Sequence, residues 1–113
     1  MRFNKPDHVY RCKPYILDNQ SSDEPFFISV RGVTAEETDK NIIAEMMMTP
    51  DKRAENSIAF IDSKIVKIEG VEVDGVELTT AKQLRESAPR EIYQWVCAAV
   101  MSTEVMTRTE VKN

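Results

Sequence analysis

Apolar residues along the chain recur with two different periods, and the period predicts the element. In "EPFFISVRGV" Phe26, Ile28 and Val30 alternate with Phe27, Ser29 and Arg31, so the even positions make one apolar face of a strand. "HVYRCKPYIL" is similarly rich in β-branched and aromatic residues. The turn-forming run "DNQSSD" joins the two, and Pro14 marks the first as an edge strand or a bulged one. In "TAEETDKNIIAEMMM" the spacing becomes helical: Ile42/Met46 and Ile43/Met47 are i,i+4 pairs behind a capping box in which Thr34 and Glu37 serve each other. Pro50 disfavours helix at Thr49 and breaks the run. Thr49-Pro50 then reads as an N-cap followed by proline at the first helical position.

Beyond Pro50, Ala54, Ile58, Ile61, Ile65 and Ile68 follow a helical spacing, while Ile58/Phe60 and Val66/Ile68 also fit a period of two. The favoured division is helix to about Ser63 with extended chain after it, because "KIVKIEGVEVDG" has the β-branched density of a strand. Apolar positions change parity near Gly70, which a β-bulge there would absorb. Asp74-Gly75 supplies a type I′ turn that sets Val73 against Val76 and Val71 against Leu78, leaving Glu69, Glu72 and Glu77 to solvent or a basic partner. A second capping box, Thr80 and Gln83, starts a short helix. "SAPREIYQWVCAAVMSTEVM" reads as a longer one with Ile92, Trp95, Val96, Ala99 and Val100 on its apolar face. The expected fold class is α+β: one small domain over residues 1–113, with an N-terminal strand pair, a second β-hairpin, three to four helices and a tail at 107–113 that frays.

With 113 residues, 42% of them apolar, the chain suits one core rather than two. Its 15 basic and 19 acidic residues give a formal charge of -4, and Lys52-Arg53 is the longest basic cluster, so nucleic acid is not the expected partner. The first fifteen residues hold no apolar core of signal-peptide length, and no stretch approaches a membrane span, which gives a cytoplasmic expectation. Cys12 and Cys97 fit no C-x-x-C spacing and are expected to be reduced thiols.

Candidate chemistry is sparse. His8 is the one histidine, and with two cysteines it makes at most a three-ligand set of no familiar zinc spacing. No phosphate-binding or nucleophile-elbow motif occurs, so no catalytic residue, metal site or cofactor is expected and the chain reads as a non-enzyme. Six methionines stand out, because Met is flexible and polarizable and lets an apolar surface adapt to a partner; core filling is the competing role. Met46-Met47-Met48 surrounds most of a helix, so at least one faces away from its own core. The apolar positions chosen as partner-binding candidates are Ile43, Met47, Met48, Met101, Val105 and Met106. Trp95 and the methionines also make a homo-oligomer an open alternative.

The phrases Arg31 to Ala35 ("RGVTA"), Ile68 to Gly75 ("IEGVEVDG") and Glu110 to Asn113 ("EVKN"), in this order and with a capped short helix and a longer one between the last two, resemble the small tail assembly chaperones of long-tailed bacteriophages. The resemblance covers most of the chain. It implies a non-enzymatic protein of the bacterial host cytoplasm that coats the tape measure protein before the tail tube polymerises and helps recruit tail tube subunits. A structural tail or head adaptor retained in the virion, and an acidic host-directed inhibitor, are the alternatives.

Overall fold

The structure is a computed structural model in which residues 1–112 are described, and its α+β class is the expected one. Strands β1 (Tyr10–Cys12), β2 (Phe27–Val30) and β3 (Ile65–Glu69) form an antiparallel sheet with β2 in the middle. β1 is an edge strand of that sheet, as Pro14 suggested. The even positions of β2 are its apolar face: Ile28 and Val30 are fully buried with Tyr10, Cys12 and Ile68. Helices α1 (Ala35–Met46) and α2 (Pro50–Lys64) precede β3; a two-stranded hairpin, β4 (Glu72–Val73) and β5 (Val76–Glu77), follows it, and α3 (Ala81–Ser87), α4 (Arg90–Met101) and α5 (Thr103–Thr109) complete the chain. The buried sheet face is covered by Ile61 of α2, Leu84 of α3, Val96 and Val100 of α4 and Met106 of α5.

Local signals decide most boundaries. Thr34 and Glu37 form the capping box of α1, Thr49 caps α2 with Pro50 in its first turn, and Thr80 and Gln83 box the start of α3. Helix α2 gives way to strand between Lys64 and Ile65. Asp74 and Gly75 both have positive φ, 50° and 80°, as the type I′ turn requires, with Val73 opposite Val76. Leu78 donates its N–H to the Val71 carbonyl at 2.9 Å, and these two side chains enter the core while Val76 is exposed.

Four features of the sheet and the C-terminal region differ from the sequence expectation. The extra residue in β3 is Val66, which falls between the pairs Ser29–Lys67 and Val30–Ile65; Gly70 instead turns the chain out of the sheet at φ 83°, where a Cβ would lie 2.8 Å from the Pro25 carbonyl oxygen. Glu69 is not left to solvent: it takes two hydrogen bonds from Arg11, at 3.2 and 3.0 Å, across the outer sheet face where Arg11 also stacks 3.9 Å from the Phe27 ring. The long C-terminal helix is two helices. Ser102, extended at φ -140°, ends α4 and caps α5 through Val105 N–H, so there are five helices rather than three to four. Of residues 107–113, expected to fray, 113 lies outside the described residues, while 107–109 finish α5 and the chain after it docks on β1: Lys13 N–H donates to the Thr109 carbonyl, Val111 N–H to the Arg11 carbonyl at 2.7 Å, and Cys12 faces Glu110. That docking covers an edge whose donors and acceptors would otherwise be open. The orientation of α1 defines the candidate site.

Candidate functional site

An amphipathic helix normally turns its apolar stripe inward, and α1 does the reverse. Its half-buried positions are Glu37, Thr38 and Asn41, then Glu45, and none of its twelve residues is buried. The stripe Ile42, Ile43, Met46 and Met47 points outward, with exposures of 54%, 66%, 71% and 93%. The reason lies in what faces α1 from the rest of the domain. Lys64, at the end of α2, pairs with the Glu37 carboxylate. Asn56 donates to Asn41 Oδ1 and to Glu45 Oε1, both at 2.8 Å, and the Ser57 hydroxyl donates to Glu45 at 3.1 Å. Arg53 reaches back to the carbonyl of Glu45, in the last turn of α1, and to that of Met48 just beyond the helix, at 3.3 and 2.9 Å.

This polar seam holds α1 on one side and leaves the apolar residues no internal counterpart. The charges of the seam are settled locally. The Lys64 ammonium, with the Thr34 backbone N–H, holds the Glu37 carboxyl below its ordinary value, and the Asn56 amide does the same for Glu45. At the corner between α1 and α2, Met47 and Met48 continue the apolar face into a shallow groove with Thr49, Lys52, Asn56 and Ala59.

The six residues singled out from sequence separate into two groups. Ile43, Met47 and Met48 lie together on α1 and its corner, with Met48 half-buried; Ile42 and Met46, which the sequence reading assigned to the stripe but not to the site, join them. Met101, Val105 and Met106 lie at the α4–α5 junction. Val33 N–H donates to the Val100 carbonyl, so this junction meets the start of α1 while Met47 sits at its other end, about 18 Å away for a twelve-residue helix. Met106 corrects the expectation that the core does not use it. It is 1% exposed, with its methyl against Gly32 and its carbonyl accepting from the Cys12 thiol. Val105 also packs on the core, and Met101 is 56% exposed. Only the signal of outward orientation, which a single sequence does not carry, would have separated these groups.

The one histidine and the two cysteines are engaged in structure. His8 Nε2 lies 3.3 Å from Glu110 Oε2 and its ring meets Tyr10 edge-on. Burial pushes the thiols of Cys12 and Cys97 upward, which keeps them protonated and weakly nucleophilic, and burial raises the Tyr93 hydroxyl to about 12. Both cysteines are free. Among the described residues no three His, Cys, Asp or Glu side chains converge as a metal site would require, and no helix is long and apolar enough to cross a membrane. What the arrangement offers is a surface for contact, centred on α1. Comparison of the chain with protein-family models, with curated proteins and with solved structures finds no match.

Proposed function

We propose that the chain is a tail assembly chaperone of the long-tailed phage type, without chemistry of its own, that holds the helical tape measure protein in the host cytoplasm until tail tube subunits are recruited. The observation that carries this reading is the outward apolar stripe of α1. A helix that keeps Ile42, Ile43, Met46 and Met47 in water, on a domain whose core is complete without them, retains a surface with a solvation cost that contact with another apolar helix removes. The resemblance in the phrases around Arg31 to Ala35 and Ile68 to Gly75 supports the same reading. Methionines in the stripe suit a long partner that presents many slightly different helical segments in turn.

The test is an affinity capture of the tagged protein from cells assembling the phage, with mass spectrometry of the bound fraction and of purified virions. The expected result is a very long helix-rich protein in the bound fraction, its loss in the double variant I43E/M47E, and absence of the chain from virions. Presence in virions would replace the chaperone by a structural adaptor, and capture of a host enzyme alone would replace it by an inhibitor.

A further inference from the structure

The outer face of α1 is not uniformly apolar. Asp39 precedes Ile42 and Ile43 by three and four residues, so its carboxylate stands directly above them on the same face, exposed and without a salt bridge or side-chain hydrogen bond among the described residues. The other acids of the helix are accounted for. Glu36 pairs with Lys40 at 2.9 Å on the flank, Glu37 is held by Lys64, and Glu45 by Asn56 and Ser57. One open carboxylate therefore stands one turn from a patch of four exposed apolar side chains.

We infer that this face docks an amphipathic helix of another protein that carries a lysine or arginine one turn beyond its apolar residues, so that the cation meets Asp39 while the apolar residues cover Ile42, Ile43, Met46 and Met47. The inference rests on α1 being the docking surface, as in the proposed function, but not on the partner's being a phage protein. Charge selects this occupant over a second copy of the chain. Another α1 offers Asp39 no free cation, because its single base, Lys40, is already paired with Glu36 on the flank. The net charge of -4 adds repulsion between copies at long range. A basic partner gains on both counts, and the rim charge steers its approach.

The probe is a fluorescein-labelled helical peptide of about 18 residues with leucines at i, i+3, i+4 and i+7 and one arginine a turn beyond, compared with the same peptide bearing glutamate in place of the arginine. Anisotropy is read against the purified full chain, and circular dichroism checks the fold of each variant. The arginine peptide is expected to bind more tightly. Ile43→Asp should weaken it at least about tenfold by placing a charge in the apolar contact. Asp39→Lys should weaken the arginine peptide about threefold and strengthen the glutamate peptide by about as much, the size of one exposed ion pair. Equal binding of the two peptides, or binding by neither, overturns the inference. So does sedimentation showing a homodimer of the wild-type chain that Ile43→Asp dissolves, because the face then belongs to a second copy. Peptide selectivity that holds while no long helical protein is captured from cells would sustain this inference and sink the phage reading.

Discussion

Helices α1 and α4 are each twelve residues long and each carries an apolar stripe at helical spacing, yet they use it in opposite ways. Helix α4 buries Ile92, Val96, Ala99 and Val100 against the sheet and α3, so its stripe is part of the core. Helix α1 turns Glu37, Asn41 and Glu45 toward its own domain and leaves Ile42, Ile43, Met46 and Met47 outside. The lesson is that an apolar stripe states only that one side of a helix prefers to leave water. Which surface covers it depends on what the rest of the chain presents, and here α2 presents Asn56, Ser57 and Lys64.

The contrast can be broken most directly by stability measurements. Leu84→Ala, in the fully buried layer beneath α4, should cost about 2–5 kcal/mol in urea unfolding, through lost burial and the cavity left behind. A cost below about 1 kcal/mol would mean that the core is looser than the burial of α3 and α4 requires. Next in size is the seam. Asn56→Ala removes the donors to Asn41 and Glu45 and should cost about 1 kcal/mol, with α1 amides exchanging faster than those of α4. Equal exchange protection in the two helices would show that α1 is held by something other than this polar contact.

Acid sharpens the same point. Lys64 depresses the Glu37 carboxyl and Arg11 depresses that of Glu69 below the ordinary 4.5, so both groups bind protons more readily in the unfolded chain. Their contribution to stability is therefore present above about pH 4.5 and lost as pH falls through the lowered folded values. The urea midpoint should decline below about pH 5, and Lys64→Gln should flatten part of that decline. An unchanged slope would place the acid sensitivity elsewhere. The smallest effect is expected on the outer stripe: Ile43→Ser should alter stability by no more than about 0.5 kcal/mol while shortening retention on a hydrophobic column. A loss above about 2 kcal/mol would show that the stripe is covered after all.

Several pieces of the fold were legible because their causes are local. The Thr34–Glu37 and Thr80–Gln83 boxes, the Thr49-Pro50 start of α2 and the Asp74-Gly75 turn each involve residues within four positions of one another, and all are where the sequence places them. The buried even positions of β2 were legible too, since Ile28 and Val30 share one side of the strand and are its most consistently apolar pair. The break at Ser102 was not, because the helical spacing runs on through it and the interruption serves to bring Met106 beneath Gly32. Nor was the role of Asn19. It is 2% exposed and ties the loop between β1 and β2 by donating to the Pro14 and Phe26 carbonyls and accepting from Phe26 N–H, although nothing in "DNQSSD" distinguishes it from its neighbours.

The candidate site divides along the same line. That Ile42, Ile43, Met46 and Met47 share one side of a helix follows from a rotation of about 100° per residue and needs no tertiary information. That this side is the outer one, that Met106 belongs to the core, and that the chain after α5 docks on β1 through Glu110 and Val111 were decided by contacts between segments far apart in the chain. Residue order alone specifies caps, turns and the sidedness of each element, because these arise from neighbours. The tertiary structure decided which side was buried, because that depends on whether Asn56 and Lys64, or an apolar surface, happened to stand opposite α1.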